Sequence, residues 1–309
     1  MLGNLGNEKS TSELGKVCVF GATGFVGSAI VNELERQGVD WIGISRSANT
    51  HPNIVEASLS DTALLQDIIS EYSCVVNAMG SFKPADFESN TKHVFQTFWE
   101  NIQLFSELLS KSNITQLLHI SSGGTVYGES QGVASVETDW LKPISWYGKA
   151  KVIEESMLEK VALQSGFTYT CARVSNPFGN SRFSSHGFVD VLINTVRNGG
   201  IFNTFNNPLY CRDFIHCQDM ASALVKLLES RNSEQVEVFN VGSGESISLL
   251  DILSIAQAVR PDFEYKLERL TTDYDVVQSM LSVNKLEAFG VNTNSFITVE
   301  QYLKEKLMG

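Results

Sequence analysis

Residues 16–38 carry the strongest constraint on what this chain can fold into. A short apolar run, KVCVF, is followed at once by GATGFVG and then by a segment in which Val26, Ile30, Val31 and Leu34 recur at helical spacing, with Gly38 as a natural stop. Strand, glycine-rich turn and helix in that order bring backbone N–H groups and the positive end of a helix against an anion. Side chains at Gly21, Gly24 and Gly27 would block that approach. A three-glycine pattern alone is a weak signal, but in this context it predicts a pyrophosphate cradle made by Gly21, Thr23, Gly24, Phe25, Val26 and Gly27.

The alternation continues. DWIGISR, IVEASL, CVVNAMG, ITQLLHISSGG and FTYTCARVSNPFG read as the second to sixth strands. DTALLQDIISEY, with Asp61 as its cap, and residues 91–111 and 145–165 read as helices. Apolar strands separated by helices predict an α/β fold, a Rossmann-type doubly wound parallel sheet covered on both faces. Beyond Gly179, Asn, Gly and Ser become frequent and short helices mix with short strands. A smaller C-terminal α/β substrate lobe is expected there. The expected division is a loose extension at 1–15, a dinucleotide-binding domain at 16–175 and a substrate domain at 176–309, with some segments returning to the first domain.

Composition narrows the partners. The chain has 309 residues, 43% of them hydrophobic, and a net charge of −12, which argues against nucleic acid. Cys18, Cys74, Cys171, Cys211 and Cys217 include no CxxC pair and read as small buried thiols of a reducing, cytoplasmic setting. The five histidines are scattered without metal-ligand spacing, so no metal is expected. No run has the length of a membrane span, and the start lacks a secretory signal pattern.

The end of the second strand reports which dinucleotide is preferred. A carboxylate there would accept bonds from ribose hydroxyls and favour NAD. This chain has Ser45, Arg46 and Ser47, a guanidinium flanked by hydroxyls, which suits the extra phosphate of NADP(H); NAD stays possible. Ser58 and Leu59 would lie near the adenine, and Asn77, Ala78, Met79 and Gly80 would line the cofactor's centre.

In SWYGKAKVIEES, Tyr147 and Lys151 stand one helical turn apart and share a face. Lys151 would favour the phenolate and bind ribose hydroxyls, while Tyr147 would serve as general acid or base at a sugar oxygen. HISSGGTVYG offers hydroxyls for a third contact.

GATGFVG, SSGGTVYG, YGKAK, RVSNPFG and RDFIH, in this order and spacing, resemble the extended short-chain dehydrogenase/reductase family in its nucleotide-sugar branch, from about residue 16 nearly to the end. The resemblance implies Tyr147 as acid/base and Lys151 as its ribose-binding partner. The family's catalytic Ser or Thr, four residues before the Tyr of VYG, is here Gly123. That leaves Ser122 as first choice for the role and Thr125 in reserve. Asn176 would contact the substrate's diphosphate or sugar, Arg212 would grip the diphosphate, and Phe205 would pack on the base. A homodimer through the helices at 91–111 and 145–165 is also implied. The expected reaction is NADPH-dependent reduction of a nucleotide-linked 4-keto (deoxy)sugar, in surface-polysaccharide or deoxysugar biosynthesis. The alternative is a UDP-glucose 4-epimerase-like enzyme with tightly bound NAD. A non-catalytic NADP-binding sensor ranks lower because Tyr147 and Lys151 are both present. A dehydratase's Asp-Glu pair is replaced by Gly124 and Thr125.

Overall fold

Val17–Phe20, the first strand (β1), is buried along its whole length, as an apolar run covered on both faces must be. In the computed structural model, which describes residues 14–47, 50–80, 82, 84–183, 187–205, 207, 209–229, 234–268 and 275–308, it is an interior strand of a seven-stranded parallel sheet. The first half of the chain runs α1 (Phe25–Gln37), β2 (Trp41–Ser45), β3 (Ile54–Glu56), α2 (Thr62–Ile69), β4 (Cys74–Asn77), α3 (Pro84–Ser89), α4 (Thr91–Ser110), β5 (Gln116–Ser122), α5 (Gly123–Val126), α6 (Trp146–Ser165) and β6 (Thr168–Val174). The second half runs β7 (Asn176–Phe178), α7 (Phe188–Arg197), β8 (Phe202–Phe205), β9 (Cys211–His216), α8 (Cys217–Glu229), β10 (Val236–Val241), β11 (Ser246–Ser248), α9 (Leu249–Val259), β12 (Tyr265–Glu268), β13 (Gln278–Ser279), α10 (Asn284–Ala288) and α11 (Val299–Met308).

The sheet order is β3-β2-β1-β4-β5-β6-β10. Winding reverses between β1 and β4, and such a reversal opens a crevice at the carboxyl ends of the strands. Phe20 pairs with Ile44 on one side and Asn77 on the other, so three strands end level at this crevice. One face of the sheet is covered by α1 and α8, with Ile30, Leu34, Leu224 and Leu228 in the core. The other is covered by α2, α4 and α6 through Leu65, Phe105, Leu109 and Leu158.

Two expectations are corrected. The run read as one sixth strand is two: β6 ends at Val174, and β7 leaves the central sheet to pair with β9, Asn176 opposite Phe214. Pro177 has no N–H to give to an interior ladder. Asp61 stands at the start of α2, but its carboxylate accepts the Ser58 N–H at 2.7 Å and forms no cap bond to the helix.

The second lobe holds a four-stranded sheet of β11, β9, β13 and β7 and a two-stranded ribbon of β8 and β12. Its core gathers Phe178, Leu192, Leu253 and Leu303 from β7, α7, α9 and α11. α8 and β10 return to the central sheet, β10 as its outermost strand beside β6. Among the described residues no helix is long and apolar enough to cross a membrane, and no group of His, Cys, Asp and Glu could hold a metal ion.

Candidate active site

The glycine corner is closed by backbone alone. Gly21 has φ +80°, and a Cβ there would lie 2.6 Å from the Ala78 carbonyl oxygen. A Cβ on Gly27 would lie 2.1 Å from the Gly21 oxygen. Both positions therefore exclude side chains, and the N-terminus of α1, at Gly24, carries no side-chain cap. This cradle fits a pyrophosphate.

An open cleft of about 340 Å³ adjoins the corner. Of the residues expected to bind the dinucleotide, Gly21, Thr23, Gly24, Ser45, Arg46, Ser47, Ser58, Leu59, Ala78, Met79 and Gly80 line it. Ser45 is buried; its Oγ lies 2.7 Å from Thr23 Oγ1 and accepts the Ser47 N–H at 3.1 Å. That ties the end of β2 to the glycine loop. Among the described residues, the one carboxylate in the cleft wall is Glu100 of α4, which accepts from Gln96 Nε2 at 3.1 Å. Phe25 is turned into the core and Val26 packs against it. Asn77 is fully buried and turned away from the cleft.

α6 begins with Ser145 accepting the Gly148 N–H at 3.0 Å, a regular N-cap. Gly148 lets this end approach α5, since a Cβ there would lie 3.1 Å from the Thr125 oxygen. The Tyr147 ring meets Phe87 edge-on at 5.7 Å. Tyr147 and Lys151 line a small cavity of about 70 Å³ whose walls include Met79, Gly80 and Asn101, residues that also wall the cleft above the glycine corner. The two expected catalytic groups thus line a cavity adjoining the cleft, not the cleft wall itself.

Lys151 is buried. Its Nζ donates to the Ile120 carbonyl at 3.2 Å and to Glu154 Oε2 at 2.8 Å. Burial alone would lower the lysine's pKa, but the Glu154 carboxylate, helped by Tyr147, raises it above the usual value. Burial likewise disfavours charge on Glu154, yet Lys151, His119 and the bonds from Lys151 and Asn77 bring its pKa below the ordinary carboxylate range. Asn77 Nδ2 donates to Glu154 Oε1 at 3.3 Å and to His119 Nδ1 at 3.2 Å, while Asn77 Oδ1 accepts the Met79 N–H at 3.2 Å. Burial depresses the His119 pKa to about 4, so its ring is neutral. Sequence reasoning missed Glu154 and His119. The available signals were a second charge three residues beyond Lys151 and a histidine inside an apolar strand.

The candidates for the third contact lie at and beyond the end of β5. Ser122 is half-buried at the end of β5, and its hydroxyl makes no hydrogen bond among the described residues. Thr125 Oγ1 donates to the Ser122 carbonyl at 3.3 Å. At Gly123 a Cβ would lie 2.6 Å from Leu281 Cδ1 and 2.8 Å from the Arg173 oxygen, so no side chain fits. Asn176 donates to the Asp213 carbonyl at 3.0 Å and lies against Gly124. Ser122, Thr125 and Asn176 wall neither cavity.

Arg212 is spent inward: it donates to the carbonyls of Cys211 at 3.0 Å, Val277 at 2.8 Å and Val276, and to Asp275 at 3.2 Å, with its guanidinium 4.1 Å over the Tyr210 ring. Burial brings its pKa down to about 10. The backbone of Phe205 ends β8, opposite Glu268; its side chain lies outside the described residues.

A family model described as the NAD dependent epimerase/dehydratase family matches residues 17–242. A dTDP-4-dehydro-6-deoxyglucose reductase of Escherichia coli is 27% identical over 77% of this chain and 79% of its own length. A putative UDP-glucose 4-epimerase of Methanocaldococcus jannaschii is 25% identical over 89% of this chain and 92% of its own. Among solved structures, the UDP-glucose 4-epimerase of Thermotoga maritima with UDP-glucose superposes with a TM-score of 0.82 at 25% identity, covering 94% of this chain and 97% of that one.

Proposed function

Given that the chain belongs to the NAD dependent epimerase/dehydratase family, whose members here act on nucleotide sugars, we propose that it reduces a nucleotide-linked 4-keto sugar with NADPH. The observation that carries this reading is the end of β2. Ser45, Arg46 and Ser47 form the cleft wall where an NAD-specific carboxylate would stand, and Arg46 supplies a fork for a phosphate. An enzyme that regenerates its cofactor in place has no need to draw on the NADPH pool, whereas a net reductase does.

The glycine corner would hold the pyrophosphate, with Ser58 and Leu59 near the adenine and Met79 and Gly80 along the centre. When bound, the dinucleotide supplies hydride. Tyr147 donates its phenolic proton to the carbonyl oxygen as that carbon becomes an alcohol. Lys151 fixes the nicotinamide-side ribose and favours the phenolate left on Tyr147. Ser122, with Thr125 in reserve, hydrogen-bonds the reacting oxygen. Asn176, Arg212 and Phe205 are assigned to the substrate's diphosphate, sugar and base; for Arg212 this means exchanging carbonyl partners for phosphate oxygens. The net charge of −12 accords with a small-molecule partner rather than nucleic acid, and we assign a cytoplasmic site of action. We also assign a homodimer built on α4 and α6.

The test is a dinucleotide and substrate panel. NADPH is expected to bind at least about tenfold tighter than NADH, and Arg46→Ala to erase that ratio, a loss of about 1.4 kcal/mol or more. NADPH is expected to be oxidised with nucleotide-linked 4-keto sugars. The second reading, a 4-epimerase, is favoured by relatives named UDP-glucose 4-epimerase. Co-purified NAD with interconversion of UDP-glucose and UDP-galactose would establish it and overturn the reductase.

A further inference from the structure

The charged groups under Tyr147 include one that the proposed chemistry does not use. Glu154 stands one helical turn beyond Lys151, buried, and walls the same cavity. A buried carboxylate needs partners, and each oxygen of Glu154 has one: Oε2 takes Lys151 Nζ at 2.8 Å, and Oε1 takes Asn77 Nδ2 at 3.3 Å. Asn77 is itself oriented from the cleft, because its Oδ1 accepts the N–H of Met79, a residue of the cleft wall, at 3.2 Å. The neutral His119 takes the other Asn77 N–H, which leaves its Nε2 as the donor. That Nε2 has no hydrogen-bond partner among the described residues and lies 3.8 Å from Glu154 Oε2.

An ammonium has three donors. The Ile120 carbonyl and Glu154 take two of those on Lys151, and the lysine lines the cavity with Tyr147. We propose that Glu154 is a positioning residue: held by Asn77 beside His119, it keeps Lys151 charged and anchored inside a buried site, with its third N–H left for the dinucleotide. This inference rests on the reading above that Lys151 binds the dinucleotide. The groups facing Lys151 are Tyr147 and Glu154 of α6, Ile120 and His119 of β5, and Cys171 of β6, with Glu155 behind on α6. Among the described residues, Glu154 is the one carboxylate bonded to the lysine. Without it, burial is left to disfavour the ammonium.

The experiment measures dinucleotide affinity against pH by fluorescence for the wild type, Glu154→Gln and Lys151→Met. In Glu154→Gln, affinity is expected to lie near that of the wild type at pH 6.5 and to fall at least about tenfold by pH 9.5 as Lys151 loses its proton. The wild type should show no such fall across that range. A folded Glu154→Gln protein with the wild-type pH profile would overturn the proposal. If Glu154→Gln fails to fold, the pair Lys151→Met/Glu154→Met decides, since it leaves no uncompensated buried charge. It is expected to bind no worse than Lys151→Met alone, because Glu154 acts through the lysine. A further tenfold loss in the double variant would show an independent role and sink the inference. The reading beneath it fails separately, if Lys151→Met binds dinucleotide as the wild type does.

Discussion

Tyr147 and Lys151 depend on their surroundings to different degrees. The phenol needs only to be aimed, and Phe87 and the cavity wall do that. Tyr147→Phe removes the transferable proton and leaves the ring packing in place. Turnover is expected to fall by about 10²–10⁴-fold, with dinucleotide affinity within about threefold of the wild type. Stopped-flow rates and a binding titration check the two halves, and a Phe variant of undiminished rate would remove Tyr147 from the chemistry. The lysine, by contrast, is a cation where water is scarce. Its partner Glu154 is close in sequence, but Asn77 and His119, which surround that carboxylate, come from distant strands.

The same contrast separates what could be read in the sequence from what could not, and α6 shows why. Its extent was legible because it is local: the helix expected over 145–165 runs from Trp146 to Ser165. Its orientation was not. Glu154 and Glu155 carry no local signal of burial, yet both are buried beside Lys151. Their partners come from elsewhere: Glu155 accepts from Arg173 of β6 at 2.8 Å and from Ser121 of β5. Charge inside a helix face looks like solvent exposure until tertiary contacts supply counter-ions. The glycine corner was readable for the opposite reason, since its chemistry is backbone chemistry set by three nearby residues. The outward side of the α4 and α6 pair presents Trp99, Trp146, Ile153 and Leu163, each more than a third exposed. Phe95 meets Trp146 edge-on at 5.6 Å, continuing this apolar strip from one helix to the other. A second copy would cover the strip. Sedimentation at micromolar concentration is expected to give a dimer, and Trp99→Glu/Ile153→Glu a folded monomer. A monomeric wild type would dismiss the interface.

At the scale of the molecule, buried polar ties join the two lobes. Asn180, beyond β7, donates to the Phe25 carbonyl at 2.8 Å and to Ser28 Oγ at 3.0 Å, which holds the second lobe to the start of α1. Asp213 of β9 accepts from Ser243 N and Oγ, both at 2.9 Å, from Gly244 N at 3.2 Å and from Leu281 N at 3.4 Å. It thereby fastens the second sheet to the loop leaving β10. Burial raises the Asp213 pKa in spite of these donors. The folded state therefore holds this proton more tightly than the unfolded one. The stabilisation from this linkage is full below the unfolded value of about 3.9 and is lost as pH rises through the folded value. Asp213→Asn should remove that slope from the melting temperature measured between about pH 4 and pH 6. It should also cost about 1–3 kcal/mol near neutrality, because an amide NH₂ would face N–H donors. An unchanged melting curve at both ends of that range would count against the tie.

The crowding around Gly123 closes a route. Leu281 and the Arg173 carbonyl both occupy the volume into which any side chain at 123 would grow, so a hydroxyl cannot be placed there by one substitution. A smaller residue at 281 would relieve only half of the crowding, because the other half is main chain. Any hydroxyl that serves the reacting oxygen must therefore come from a neighbouring position.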